Sequence, residues 1–159
     1  MTDITILPAL SSAVSEVLER MFFLEALGEA VEPAPEAETV TIQIAFEGDP
    51  AGSFQMRVAR KAADAIAADF LGEDPETLTC QQRTDVTLEL GNMICGSVLS
   101  RMESSASFRL GSPRAVEGEE AMRSQPGDTR YTVETGSGTL TVSIRMEERT
   151  CPSTPRFAS

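Results

Sequence analysis

Asp85-Val86-Thr87-Leu88-Glu89-Leu90-Gly91-Asn92-Met93-Ile94-Cys95-Gly96 is the stretch on which the reading of this chain turns. With Asp85 set at zero and about 100° per residue, Glu89 falls at about 40°, Asn92 at about −20° and Gly96 at about 20°. Glu103 returns close to zero. The rest of the circumference is apolar: Val86, Leu88, Leu90, Met93, Ile94, Cys95, Val98, Leu99 and Met102. The spacing predicts a helix from about Gln82 to Met102, packed on most sides, with one narrow polar strip. Two glycines inside it want a reason, because each costs about 1 kcal/mol relative to alanine. Gly96 lies in the strip, where it would let another backbone approach Asn92. Gly91 lies on the apolar side and points to tight internal packing. A merely solvated face is the plain alternative for Asp85, Glu89 and Asn92, although asparagine usually prefers caps and turns to helix interiors.

Working outward, an earlier helix is expected after a short apolar start. Pro8 is placed to open it and Ser11 or Ser12 to cap it. Val14, Val17, Leu18, Met21 and Phe22 recur at helical spacing, Gly28 is the expected stop, and the proline-rich stretch 32–36 reads as a loop. Thr39 to Phe46 alternates Val40, Ile42 and Ile44 against Thr39, Thr41 and Gln43, as a half-buried strand does. Ser53 to Ala59 returns as its hairpin partner. Ala62 to Leu71 reads as a short helix closed by Gly72 and the Asp74-Pro75 break. Beyond the second long helix, Phe108 and Leu110 suggest a strand that continues past Gly111-Ser112-Pro113 into Arg114-Ala115-Val116. Tyr131 to Glu134 and Thr139 to Met146 flank Gly136-Ser137-Gly138, a hairpin signal. From Arg149 onward two prolines and few apolar residues predict a frayed tail. A long helix followed by extended segments thus occurs twice, and Ser15 and Glu19 echo the spacing of Asp85 and Glu89. At the third position Phe22 stands where Asn92 stands in the second helix.

The composition removes several chemistries. The chain has 159 residues, enough for one domain with a core, and no apolar run long enough to span a bilayer. Its start lacks the pattern of a secretory signal, so a cytosolic home is expected. Thirteen basic against 25 acidic residues leave a net charge of −12. A field of that sign repels nucleic-acid backbones and anionic lipid, so neither is an expected partner. Cys80, Cys95 and Cys151 have neither a disulfide nor a zinc pattern, and Cys95, set among apolar helix residues, reads as a buried thiol. No histidine is present, which rules out Ser-His-Asp triads, Cys-His pairs and HExxH zinc motifs within the chain.

Asp85-Val86-Thr87-Leu88-Glu89-Leu90-Gly91-Asn92 resembles the D/S-xxx-E-xx-N motif of the CheC/CheX/FliY chemotaxis phosphatases. Met93-Ile94-Cys95-Gly96 continues the likeness. Val17-Leu18-Glu19-Arg20-Met21-Phe22-Phe23 is similar to the first helix of CheX-type members, and residues 108–118 to the strand after their active helix. The resemblance covers roughly residues 8 to 147. CheC-like members often carry two E-xx-N sites; Phe22 leaves only one here and points to the CheX-type branch.

What the resemblance implies is an α+β domain over residues 1–148, with a flexible tail over 149–159. Two long helices would pack against antiparallel β-strands in a helix-strand-strand pseudo-repeat. It also implies a phosphatase for the aspartyl phosphate of a CheY-type response regulator. Asn92 would enter the receiver's active site and orient the attacking water, and Glu89 would pair with the receiver's lysine. Asp85 and Gly96 would belong to the docking surface; helix-start electrostatics is an alternative role for Asp85. No cofactor is expected in this chain, the magnesium being the receiver's, and a second copy of the chain is a further candidate partner, as a homodimer. A non-catalytic receiver-binding adaptor and a dimerisation module remain as competing readings.

Overall fold

A computed structural model of the chain describes residues 3–22, 24, 26–30, 38–48, 51–102, 108–116 and 128–147. The expected tail beyond Arg149, the loop at 32–36 and Glu103 lie outside the described residues.

Thr79 starts the decisive helix by a reciprocal cap. Its N–H donates to Gln82 Oε1 at 2.9 Å, while the Gln82 N–H donates to Thr79 Oγ1 at 3.0 Å. Backbone donors that a helix start leaves open are thereby satisfied. The helix, α3, runs Cys80–Met102 and buries Val86, Leu90, Ile94, Cys95, Val98 and Leu99. The first helix, α1, runs Asp3–Met21. It begins five residues before the proline expected to open it, so Pro8 and both candidate serine caps lie inside it. Burial explains the extension: Ile6, Ala9 and Leu10 all join the core, and their contacts offset the hydrogen bond that proline cannot donate. A third, shorter helix, α2, spans Arg60–Leu71 and ends at Gly72 in the left-handed conformation.

The strands are β1 (Thr39–Glu47), β2 (Gly52–Ala59), β3 (Arg109–Leu110), β4 (Arg114–Val116), β5 (Thr129–Glu134) and β6 (Thr139–Met146). They form one sheet ordered β3-β1-β2-β6-β5, with β4 also paired to β1. Every strand pairing is antiparallel. Gly136 and Gly138 supply positive φ, 92° and 148°, in the turn that joins β5 to β6. Phe108 lies just outside β3 and packs edge-on against Phe46, with ring centroids 5.8 Å apart.

The helix-facing side chains come from one parity of each strand: Ile42, Ile44 and Phe46, then Phe54, Met56 and Val58, then Leu140, Val142 and Ile144. The opposite parity is mainly polar and mostly half-buried or exposed, as the expected alternation has it, although Thr41 and Thr141 are only 3% exposed.

The pseudo-repeat has an exchange built into it. Gly28 does not stop a helix; α1 has ended at Met21, and residues 27–30 run beside β5. Leu27 N–H donates to Glu134 O at 2.8 Å, Glu134 N–H to Gly28 O at 3.0 Å and Ala30 N–H to Thr132 O at 2.9 Å. The segments after α3, β3 and β4, pair with β1. Each long helix therefore sends its exit segment to the hairpin of the other half, and the halves join through β2 and β6 at the centre. Packing follows the same exchange, with α1 against β5, α3 against β1, and the two helices against each other. Among the described residues, no helix is long and apolar enough to cross a membrane.

Candidate functional site

The strip on α3 is where the sequence pattern places it. Asp85 and Glu89 are exposed, Asn92 and Gly96 are half-buried, and Val86, Leu90 and Ile94 fill the opposite side. Half-buried Leu88 and Met93 flank the strip. Asp85 is the sixth residue of the helix, beyond the first turn in which the helix dipole acts strongly, so helix-start electrostatics does not account for it. One turn earlier, Gln81 donates its Nε2–H to Asp85 Oδ1 at 2.8 Å. That i,i+4 contact extends the strip to Gln81, a residue the motif does not include but the helical spacing would have revealed.

The two glycines have opposite surroundings. Among the described residues, a Cβ on Gly96 would meet nothing within 4 Å, which leaves this part of the strip open to them. A Cβ on Gly91 would sit 2.0 Å from Ile42 Cδ1, 3.1 Å from Ile42 Cγ1 and 3.4 Å from Met56 Cε. Gly91 is thus the close packing point between α3 and the sheet that its apolar position suggested.

The far side of α3 is anchored by charge. Arg83 pairs with Asp64 of α2, the Arg83 side chain being 12% exposed. The hydrogen bond to Asp64 raises the Arg83 pKa above its ordinary value and outweighs the lowering by burial. Thr87 Oγ1–H donates to Arg83 O at 2.7 Å. At the other end Arg101 pairs with Glu16 of α1. No local sequence signal shows these links, since they join residues 19 and 85 positions apart. Burial pushes the Cys95 thiol up to about 12, which suits an inert core residue.

On α1, Glu19 is exposed and Ser15 half-buried, but the third position of the echo is closed. Phe22 is 2% exposed, its N–H still bonded at 3.2 Å to Leu18 O, and its ring stacks on Phe70 at 5.0 Å. An aromatic ring committed to the core leaves α1 no polar third side chain to present. Among the described residues no group of three or more Cys, Asp or Glu side chains gathers as a metal cluster.

An exposed carboxylate and a half-buried carboxamide on one rigid helix can dock a cationic group and hold a water by donation and acceptance together. Comparisons with known proteins place the chain itself in a family. The family model described as chemotaxis phosphatase CheX matches residues 40–136, from β1 through the whole of α3 to the β5–β6 turn. No curated protein sequence matches the chain. Among solved structures, a chemotaxis protein CheX from Desulfovibrio desulfuricans is 21% identical with a TM-score of 0.70, over 89% of this chain and 99% of that one. A CheC-like superfamily protein from Shewanella sp. PV-4 is 20% identical with a TM-score of 0.72, over 93% and 100%. CheX from Borrelia burgdorferi, solved as a CheX–CheY–BeF3–Mg2+ complex, is 18% identical with a TM-score of 0.68, over 89% and 97%. At these identities the structures speak for the fold, and the matched family model speaks for descent. By that match, which takes in the motif-bearing helix and most of the sheet behind it, the chain belongs to the CheX family of chemotaxis phosphatases.

Proposed function

We propose that this protein accelerates hydrolysis of the aspartyl phosphate of a CheY-type response regulator, with Asn92 orienting the attacking water and Glu89 docking the receiver. The observation that carries this reading is the side-by-side presentation of Glu89 and Asn92 on an outward strip of α3, on a chain of the CheX family. A relative of the same fold was solved with CheY and Mg2+.

An acyl phosphate is already reactive, so the phosphatase needs no nucleophile of its own. It must hold one water in line with phosphorus. The Asn92 carboxamide can accept from that water through its oxygen and donate to a phosphoryl oxygen through its nitrogen, and it does not titrate near neutral pH. Glu89, one turn earlier and exposed, pairs with a receiver lysine and sets the register of α3 in the receiver's cleft. Gly96 lets receiver backbone pass close to the helix, and Asp85, held by Gln81, contributes to the same surface. The magnesium ion belongs to the receiver and neutralises charge on the phosphoryl oxygens there. A hundredfold acceleration requires about 2.7 kcal/mol of barrier lowering, within reach of one positioned water.

Phosphate release from phosphorylated CheY-like receivers of the same genome, with wild type and Asn92→Ala in parallel, tests the reading. Acceleration by wild type alone is the expected result. A folded wild-type protein that binds a receiver without accelerating any would replace the phosphatase with an adaptor.

A further inference from the structure

We propose that Gly91 is a positioning residue for the Asn92 chemistry: its missing side chain sets the depth at which α3 rests on the sheet. The proposal rests on the phosphatase reading for its kinetic consequence, but its structural part can be measured without a receiver.

Gly91 is buried and immediately precedes Asn92. The atoms beneath it belong to Ile42 of β1 and Met56 of β2, both 0% exposed. Ile42 Cδ1 is the free end of its side chain, but interiors of this kind are close-packed, so its retreat has to displace neighbouring core atoms. A Cβ placed 2.0 Å from Ile42 Cδ1 would have to move by roughly 1.5 Å to reach ordinary carbon–carbon separation. Either Ile42 leaves its rotamer or α3 lifts and turns at this point. Because Asn92 is the next residue, any lift is delivered to its carboxamide almost undiminished, whereas the ends of α3 stay tied by Arg83 to Asp64 and by Arg101 to Glu16. Glu89 is exposed and reaches outward, where a long side chain absorbs a small shift. The carboxamide has a short stem and an in-line geometry to satisfy, for which a displacement of about 1 Å can cost about a hundredfold. Glycine here therefore exchanges local helix stability for a defined seat.

The test uses Gly91→Ala, Ile42→Val and the double variant, each checked for folding by circular dichroism and thermal melting. Valine lacks the Cδ1 atom that the new methyl would meet. Two readouts are taken: the Asn92 side-chain amide resonance of the free protein, assigned by its loss in Asn92→Ala, and kcat and KM for receiver dephosphorylation. Gly91→Ala is expected to move the resonance and to lower kcat about tenfold to a hundredfold with KM within about threefold. The double variant should return both toward Ile42→Val. A folded Gly91→Ala with the wild-type resonance and kcat would overturn the proposal, as would a defect that Ile42→Val does not relieve. If Gly91→Ala alone does not fold, a double variant that folds and matches Ile42→Val in both readouts supports it; a double variant that is also unfolded overturns it. Should wild type accelerate no receiver, the phosphatase reading fails, while the resonance still decides whether Gly91 seats Asn92.

Discussion

Glu89 and Asn92 stand one turn apart on α3, and their different exposure suits the different work proposed for them. Glu89 is exposed, and a charge at the rim of a contact chiefly affects encounter and docking. Asn92 is half-buried, and the role proposed for its carboxamide demands one geometry about the attacking water. Glu89→Ala is therefore expected to weaken receiver binding about tenfold, a loss of about 1.4 kcal/mol, while saturating turnover falls far less. Titration calorimetry or fluorescence binding alongside kcat checks it, and unchanged affinity would remove Glu89 from the interface. Asn92→Ala should show the reverse: receiver affinity within about threefold of wild type and no acceleration, the pattern expected of a group that acts only in the transition state.

Cys95 shows burial acting in the opposite sense. Fully inside the core, its thiol is pushed up to about 12, so the folded protein keeps the proton where an unfolded chain gives it up. The contribution of this group to stability is present below its ordinary value of 9.0 and is lost as pH rises through about 12. Alkylation of the native protein with iodoacetamide at mild pH should modify exposed Cys80 and spare Cys95, with Cys95 reacting only after denaturation. Peptide mass mapping reads the outcome. Modification of native Cys95 at the rate of Cys80 would show that α3 opens readily from the sheet.

At the scale of the element, α3 carries two glycines that cost it helix stability for separate reasons. Gly91 answers to the sheet, and Gly96 faces open space. Replacing Gly96 by leucine should therefore leave the fold intact and even raise stability by up to about 1 kcal/mol through helix propensity. The same change would put a branched side chain in the strip and weaken receiver binding by at least about tenfold if receiver backbone passes there. A raised melting temperature with unchanged affinity would place Gly96 outside the contact. Propensity and function are separable at this position because, among the described residues, nothing lies within 4 Å of where its Cβ would sit. The helix α1 illustrates the other limit. Its echo of the motif ends at Phe22, whose ring stacks on Phe70, so a second site there is closed by packing as well as by chemistry.

At the scale of the molecule, the exchange of exit segments makes the two halves interdependent. Residues 27–30 complete the sheet beside β5, β3 and β4 complete it beside β1, and β2 pairs with β6 along seven register positions at the centre. Cutting the chain in the exposed turn at residues 73–77 should give two fragments that are each largely unfolded alone and regain the native circular dichroism spectrum on mixing. A fragment with a cooperative melting transition of its own would contradict this interdependence.

Much of this was legible beforehand. Alternation along β1 and β2, the glycine-bracketed hairpin of β5 and β6, and the periodicity of α3 are local patterns, and local patterns survive in a sequence read by itself. So did the strip, because side chains three, four and seven apart share a helix face whatever lies behind the helix. The absence of histidine is likewise a property of the chain alone, and it ruled out whole classes of catalysis. The tertiary structure decided what depends on neighbours distant in sequence. Burial of Ile6, Ala9 and Leu10 carried α1 past Pro8, and pairing with β5 turned Gly28 from a helix stop into part of a sheet edge. Contact with Ile42 gave Gly91 its reason, and stacking on Phe70 closed the echo on α1. Helical period is set by the backbone, whereas depth, pairing and closure are set by the partner that long-range packing brings into contact.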